Sequence, residues 1–120
     1  MNRLFIIIGV AMLLLLAVSC GQKHKAKRMV EDFIEANAID PDAIADRDFT
    51  RFDSTKVITD SLVLAMQQSK HPLYKHPIPY SVRNAGRMLF LLRMNYRHQG
   101  DTLWQTFYID EQMEHVVAFK

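Results

Sequence analysis

Residues 88–120 read MLFLLRMNYRHQGDTLWQTFYIDEQMEHVVAFK, and the period of this stretch decides the fold. Met88, Phe90, Leu92, Met94 and Tyr96 alternate with Leu89, Leu91, Arg93, Asn95 and Arg97. That is the two-residue period of a strand whose faces differ. Gln99-Gly100 is a hairpin turn. Pairing across it sets Tyr96 opposite Leu103, Leu92 opposite Phe107 and Phe90 opposite Ile109, so these side chains share a face. A second turn around Asp110–Gln112 is expected to return Met113–Phe119, with Phe107 opposite Val116 and Gln105 opposite Ala118. The other face then carries Trp104, Tyr108, Val117 and Phe119 beside Arg93, Asn95, Arg97, Thr106 and His115.

Both faces of such a meander need cover. Upstream, Ala26, Met29, Val30, Phe33 and Asn37 follow the i, i+3, i+4, i+7 spacing of one helix face, which predicts a helix over residues 23–38. That helix covers one face. The second is left to the 49–69 region, to another subunit or to a ligand, because an exposed Trp–Tyr–Phe patch is unusual on a monomer.

The intervening chain is less regular. Asp40-Pro41-Asp42 stops the helix and offers a short new start, with Asp40 capping and Pro41 at the first helical position. Phe49, Phe52, Val57 and Ile58 fit no single period, and part of this stretch is read as a short strand. Leu62, Ala65, Met66 and Ser69 predict a second helix over 61–69, capped by Asp60. Residues 70–80 hold an imperfect repeat, KHPLY and KHPIPY, with three of the four prolines. The segment must be extended and cannot be a central strand. It reads as a rigid surface connection, or as a recognition loop presenting Tyr74 and Tyr80.

The N-terminus has another character. Arg3 precedes fifteen uncharged residues, Leu4–Val18, the charged and apolar regions of a secretory signal peptide. As a helix they reach about 22 Å at about 1.5 Å per residue, short of a bilayer core of about 30 Å. Ala17-Val18-Ser19-Cys20 then resembles the lipobox of bacterial lipoproteins, with Ala17 where Leu is commonest. The resemblance covers the first twenty residues. It implies a diacylglyceryl thioether on Cys20, cleavage after Ser19 and fatty acylation, for instance with palmitate, of the new amine. The alternative is ordinary cleavage near Ala17, leaving Cys20 as a free thiol, which is awkward for a lone cysteine in an oxidising compartment. The expected division is a lipoprotein signal peptide at 1–19, a lipidated tether at 20–23 and a single domain at 24–120.

Residues 20–120 carry a net charge of +1, unevenly spread. Lys23, Lys25, Lys27 and Arg28 come without an acid and are candidates for contact with an anionic membrane surface. Residues 30–60 hold nine acids against three bases, and residues 61–100 hold six bases and no acid. Acidic and basic regions packing side by side account for this, as does a basic face for an anionic ligand.

Helix first, irregular strands, then an antiparallel hairpin and a final strand resembles the cystatin-like and nuclear-transport-factor-2-like α+β folds. The likeness is topological, covers about 24–120 and rests on no motif. The expected class is α+β, an N-terminal helix packed on a C-terminal antiparallel β-meander. The resemblance implies a platform for binding, not an activity.

Chemical motifs are absent. The five histidines lack helical i, i+4 spacing, and no HExxH or cysteine-based pattern predicts a metal. Asp40, Asp42, Asp46, Asp48 and Asp53 lack the glycine and terminal Glu of a calcium loop. No nucleophile elbow or phosphate-binding glycine loop occurs. The expectation is therefore a non-enzyme without cofactor or metal. It is a lipoprotein anchored in a bacterial envelope, on the outer membrane because Gly21 is not the Asp that resembles an inner-membrane retention signal, and facing the periplasm because no acidic run linked to surface export follows Cys20 and Lys23–Arg28 has the opposite charge. Its partners are the bilayer, through Cys20, and another envelope protein or a second copy through the sheet. Nucleic acid is not among them. The candidate partner or ligand surface is Arg93, Arg97, Trp104, Tyr108 and His115. The alternatives are a small-ligand pocket between helix and sheet, lined by residues such as Phe33, Tyr96, Trp104 and Tyr108, or a structural envelope role.

Overall fold

A computed structural model describes residues 21–81 and 88–120. The signal segment, Cys20, Arg83 and Arg87 lie outside the described residues. The elements are α1 (residues 21–37), a 3-10 turn at Pro41–Ala43, β1 (Ala45–Thr55), α2 (Asp60–Gln68), β2 (Leu89–His98), β3 (Asp101–Asp110) and β4 (Val116–Phe119). The strands form one four-stranded antiparallel sheet in the order β1-β2-β3-β4.

The β2–β3 hairpin has the register that the sequence predicts. Phe90 pairs with Ile109, Leu92 with Phe107 and Tyr96 with Leu103, in ten consecutive pairs without a bulge. Gln99 and Gly100 both take positive φ, 51° and 85°, as a two-residue turn matched to strand twist requires. Leu92, Met94, Tyr96, Phe107 and Ile109 are buried on the inner face, and α1 covers them.

Helix α1 begins two residues before the expected start, so residues 21–23, expected as tether, are helical. Its buried ridge is Ala26, Val30 and Ile34, continued just past the helix by Ala38, each at most 2% exposed. The ridge is centred one position beyond the stripe read from sequence, with Met29 and Phe33 on its flank. Phe33 packs edge-on against Phe107 and Phe119, at ring centroid distances of 6.0 and 5.7 Å. Edge-to-face contact at this spacing is favourable beyond area burial.

Strand β1 explains the irregular spacing of Phe49 and Phe52. Phe49 pairs with Met94, Arg51 with Arg93 and Phe52 with Leu92, so Thr50 is an extra residue. The bulge lets two phenylalanines three apart pack against the same core. A second bulge between Ala45 and Asp48 includes Asp46 at φ 50°. Asp40 caps the 3-10 turn as expected, its Oδ1 accepting from Asp42 N–H at 3.2 Å. Arg47 donates to Ile44 O and Pro41 O, both at 2.9 Å, and lies 3.5 Å from the Glu35 carboxylate, tying this corner to α1.

Two sequence readings are corrected. The N-cap of α2 is Thr59, not Asp60, with Thr59 Oγ1 accepting from Leu62 N–H at 3.2 Å. The β3–β4 register is displaced by three residues, with Phe107 opposite Phe119 and Tyr108 opposite Ala118. The cause is Asp110. Its Oδ1 accepts from Glu114 N–H at 2.7 Å and His115 N–H at 2.9 Å, which lengthens the turn. Met113, at φ 56° and 6% exposed, is driven into the core by that turn. Because three is odd, Phe119 changes face and joins the inner core. Val117 is an extra residue between Ile109–Val116 and Tyr108–Ala118, and lies with Ala118 on the outer side.

Truncating the α1 ridge should be expensive where truncating its neighbour is not. Ile34→Ala is expected to lower unfolding free energy by about 2–5 kcal/mol. Ile39→Ala, at a side chain 64% exposed, should change it by less than about 0.5 kcal/mol. Urea denaturation of both variants checks the assignment.

Candidate functional site

The outer face of the sheet is divided. At one end Val63 of α2 packs on Leu89, Val117 and Ala118, with Ile58, Met66 and Tyr108 around them. Gln67 Nε2 donates to Val117 O at 2.8 Å, satisfying a carbonyl at the bulge. The 49–69 region therefore covers this end.

The hairpin end is open. Trp104 is 63% exposed, and the Arg93 guanidinium lies 4.9 Å from its ring centroid. A cation over an indole face is attracted by the ring quadrupole, by about 0.5–1 kcal/mol when exposed. Arg97 is exposed on the same face, one pleat from Asn95, the direct partner of Trp104. Arg51 stands opposite Arg93 on β1, and its charge is taken up by Asp53 at 3.0 Å. Asp53 is held below the usual carboxylate range, first by the Ser54 N–H and then by Arg51.

Of the five candidate surface residues, Arg93, Arg97 and Trp104 come together. Tyr108 shares their face but is half-buried against α2. His115 does not join them. Its Nδ1 lies 3.2 Å from Asp110 Oδ2, and it borders a hollow formed by α1 and residues 78–81. The four residues proposed for a pocket between helix and sheet do not converge either. Phe33 and Tyr96 are inside, whereas Trp104 and Tyr108 lie on the opposite face.

Lys23, Lys25, Lys27 and Arg28 are exposed on α1. The Lys27 ammonium lies 5.6 Å over the Phe49 ring, so it belongs partly to the fold. None of the four is in an ion pair among the described residues.

The Pro-rich repeat is structural in its first half. Ile39 N–H donates to Leu73 O at 3.0 Å and Lys75 N–H to Asn37 O at 2.9 Å, which ties the segment to the end of α1. Tyr74 is 3% exposed, and Tyr80 stacks on Phe33 at 6.0 Å. The recognition-loop reading therefore fails for Tyr74, whereas Tyr80 is half-buried and borders two hollows. Burial raises both phenols, Tyr80 up to about 12 and Tyr74 further.

A polar thread crosses the apolar interior here. Tyr74 Oη lies 2.8 Å from one end of the Gln105 side-chain amide, and the other end of that amide stands 3.0 Å from His71 Nε2. Leu73 N–H points at His71 Nδ1 at 3.1 Å. A neutral imidazole carries one N–H, so with Nδ1 accepting, the proton belongs on Nε2 and faces the amide. Gln105 then accepts from His71 and donates to Tyr74, since amide orientation follows from the network. Sequence reading missed Gln105, 1% exposed. Its position in the inward-facing set of β3 was the available signal.

Along the outside of α2 runs a groove of about 400 Å³. Leu62, Ala65, Met66 and Ser69, the stripe that predicted the helix, line it together with Tyr108 and Phe119. Among the described residues no group of three or more His, Cys, Asp or Glu side chains is placed to hold a metal. Among those residues no helix is long and apolar enough to cross a membrane. No family model, curated protein or solved structure matches the chain.

Tyr74→Phe removes one of the two partners of a buried amide and is expected to lower stability by about 1–3 kcal/mol. Burial also holds His71 below its ordinary value of 6.5. The unfolded chain therefore takes up this proton at higher pH than the folded chain. The His71 contribution is full above about pH 6.5 and is lost as pH falls from there through the folded value. Melting curves should show a smaller drop in Tm from about pH 7 to pH 5 for His71→Gln than for the wild type.

Proposed function

We propose that this chain is a lipid-anchored, non-catalytic binding module of a bacterial envelope, held to the membrane through Cys20 and engaging another envelope protein through the hairpin end of its sheet. The observation that carries the binding half is Trp104, held face-on to Arg93 with most of its surface in water. Exposed Trp and Arg are the residue types over-represented among residues that dominate interfaces. The cation stacked on the indole pre-orders both side chains and reduces the entropy lost on docking.

The anchoring half rests on the resemblance of Ala17-Val18-Ser19-Cys20 to a lipobox. Buried acyl methylenes contribute about 0.8 kcal/mol each, and two chains already anchor stably. Residue 21 is already helical, so the domain would lie close to the headgroups. Lys23, Lys25 and Arg28 would then face an anionic surface that contributes about 1 kcal/mol for each nearby base. Gly21 in place of Asp supports an outer-membrane address, and basic Lys23–Arg28 in place of an acidic run after Cys20 supports the periplasmic side. The helix-first order and antiparallel meander support a cystatin-like or nuclear-transport-factor-2-like relationship, with α2 on the second face as an addition.

Globomycin treatment is expected to accumulate the uncleaved form, and Cys20→Ala to release the protein from the membrane fraction. Cross-linking in cells should give a defined adduct that Trp104→Ala with Arg93→Ala abolishes, with Tm changed by no more than about 4–8 °C. An unchanged adduct pattern would rule out this surface as the interface.

A further inference from the structure

The groove beside α2 has a direction. Ile58 and Leu62 stand at the N-terminal end of α2, while Ser69, Lys70 and His71 follow its C-terminal end. The His71 and Phe119 rings lie 5.8 Å apart, and Lys70 and Lys120, their neighbours in sequence, both line the groove. One end is thus aliphatic and the other carries the lysines, and no Asp or Glu side chain lines the groove. Lys70 and Lys120 make no ion pair among the described residues. The main-chain oxygen of Lys120 is taken up by Thr106 N–H at 2.9 Å. The ring nitrogens of His71 are occupied by Leu73 and Gln105, and the Ser69 hydroxyl by Ala65 O at 2.9 Å. Besides the two ammonium groups, the phenol of Tyr108 is the remaining side-chain donor in the lining.

We infer that this groove is a binding site for a single-chain anionic amphiphile, its acyl chain along Leu62, Met66 and Tyr108 and its acidic head between Lys70 and Lys120. Charge complementarity selects the occupant. The C-terminal end of a helix disfavours an anion, and two unpaired lysines at that end reverse the preference. The volume, about 400 Å³, lies within the roughly 300–1,000 Å³ of sites that hold a small molecule. The amphipathic character of α2 has the same explanation. Only Val63 is fully buried, whereas Leu62 remains 47% exposed on the groove side. The site is separate from the Trp104 surface and stands or falls independently of it.

The full chain in phosphatidylcholine vesicles, exposed to dodecanoate carrying a diazirine at its far end, tests the site directly. After irradiation, label is expected on peptides spanning residues 58–66. Compared at equal free aqueous concentration, unlabelled fatty acids should compete about fourfold more strongly for each added methylene until the groove is full. Lys70→Glu with Lys120→Glu should weaken labelling roughly tenfold. Ala65→Trp, which fills the groove from an exposed helix position, should abolish it, and Leu62→Gln gives a milder second variant if Ala65→Trp fails to fold. Trp104→Ala should leave labelling unchanged. Label spread evenly over the protein overturns the assignment, as does equal labelling by the matching dodecanol probe. Retained labelling in a folded Ala65→Trp variant, or in Leu62→Gln where Ala65→Trp does not fold, overturns it too. So does competition by an apolar peptide but not by dodecanoate, which would make the groove a protein-docking site.

Discussion

The unbroken pairing of β2 with β3 is the constraint on which the rest of the molecule depends. A two-residue turn with positive φ at Gln99 and Gly100 fixes the register, and ten pairs follow without interruption. Side chains alternate along a strand, so a slip of one residue would exchange the two faces. With the register fixed, Leu92, Met94, Phe107 and Ile109 must point one way and Arg93, Trp104 and Tyr108 the other. Helix α1 has only one surface to cover, and its ridge of Ala26, Val30, Ile34 and Ala38 fits against it because the small first and last residues permit close approach.

The two edges of the sheet depart from regularity for reasons that are local and physical. On β1 a bulge at Thr50 turns Phe49 and Phe52 to the same side, while Asp48, Arg51 and Asp53 keep the outer side polar. Bulges and charges of this kind also protect an exposed edge from pairing with another chain. On β4 the extra residue Val117 brings two small apolar side chains, Val117 and Ala118, to the surface beneath α2. Gln67 then satisfies the carbonyl at the bulge. The short second helix is thus held by one buried valine and a side-chain hydrogen bond, which leaves its other apolar flank free to form a groove.

The sheet consequently offers two dissimilar surfaces on one face. Beside α2 lies an apolar trough with lysines at one end. At the hairpin lies an open patch with an indole under a guanidinium. Between the trough and the core runs the chain His71–Gln105–Tyr74, a fully partnered polar path through an otherwise apolar interior. Partnering matters because a buried amide left unpaired costs far more than the bond itself contributes. Tyr74 and His71 come from the Pro-rich repeat, so its first half reads as a plug of the core and not as a display loop.

Legibility in the sequence followed the range of the interaction. The hairpin, its register and α1 were readable because alternation, a turn dipeptide and the i, i+4 spacing are properties of neighbouring residues. The β3–β4 register was not, because it depends on the Asp110 carboxylate reaching the amides of Glu114 and His115. Phe49 and Phe52 looked aperiodic because a bulge is visible only against the partner strand. Of the candidate surface, Arg93, Arg97 and Trp104 were placed together by strand parity alone, while Tyr108 was claimed by α2 and His115 by Asp110. The groove appeared only with the tertiary structure. A helical stripe such as Leu62, Ala65, Met66 and Ser69 specifies that something apolar lies against it, but how closely the sheet approaches decides whether that space is filled. The sequence by itself determined the two faces of the hairpin and the ridge that seals one of them. Tertiary structure alone decided which half of the second face α2 covers, because that choice rests on contacts between segments about fifty residues apart.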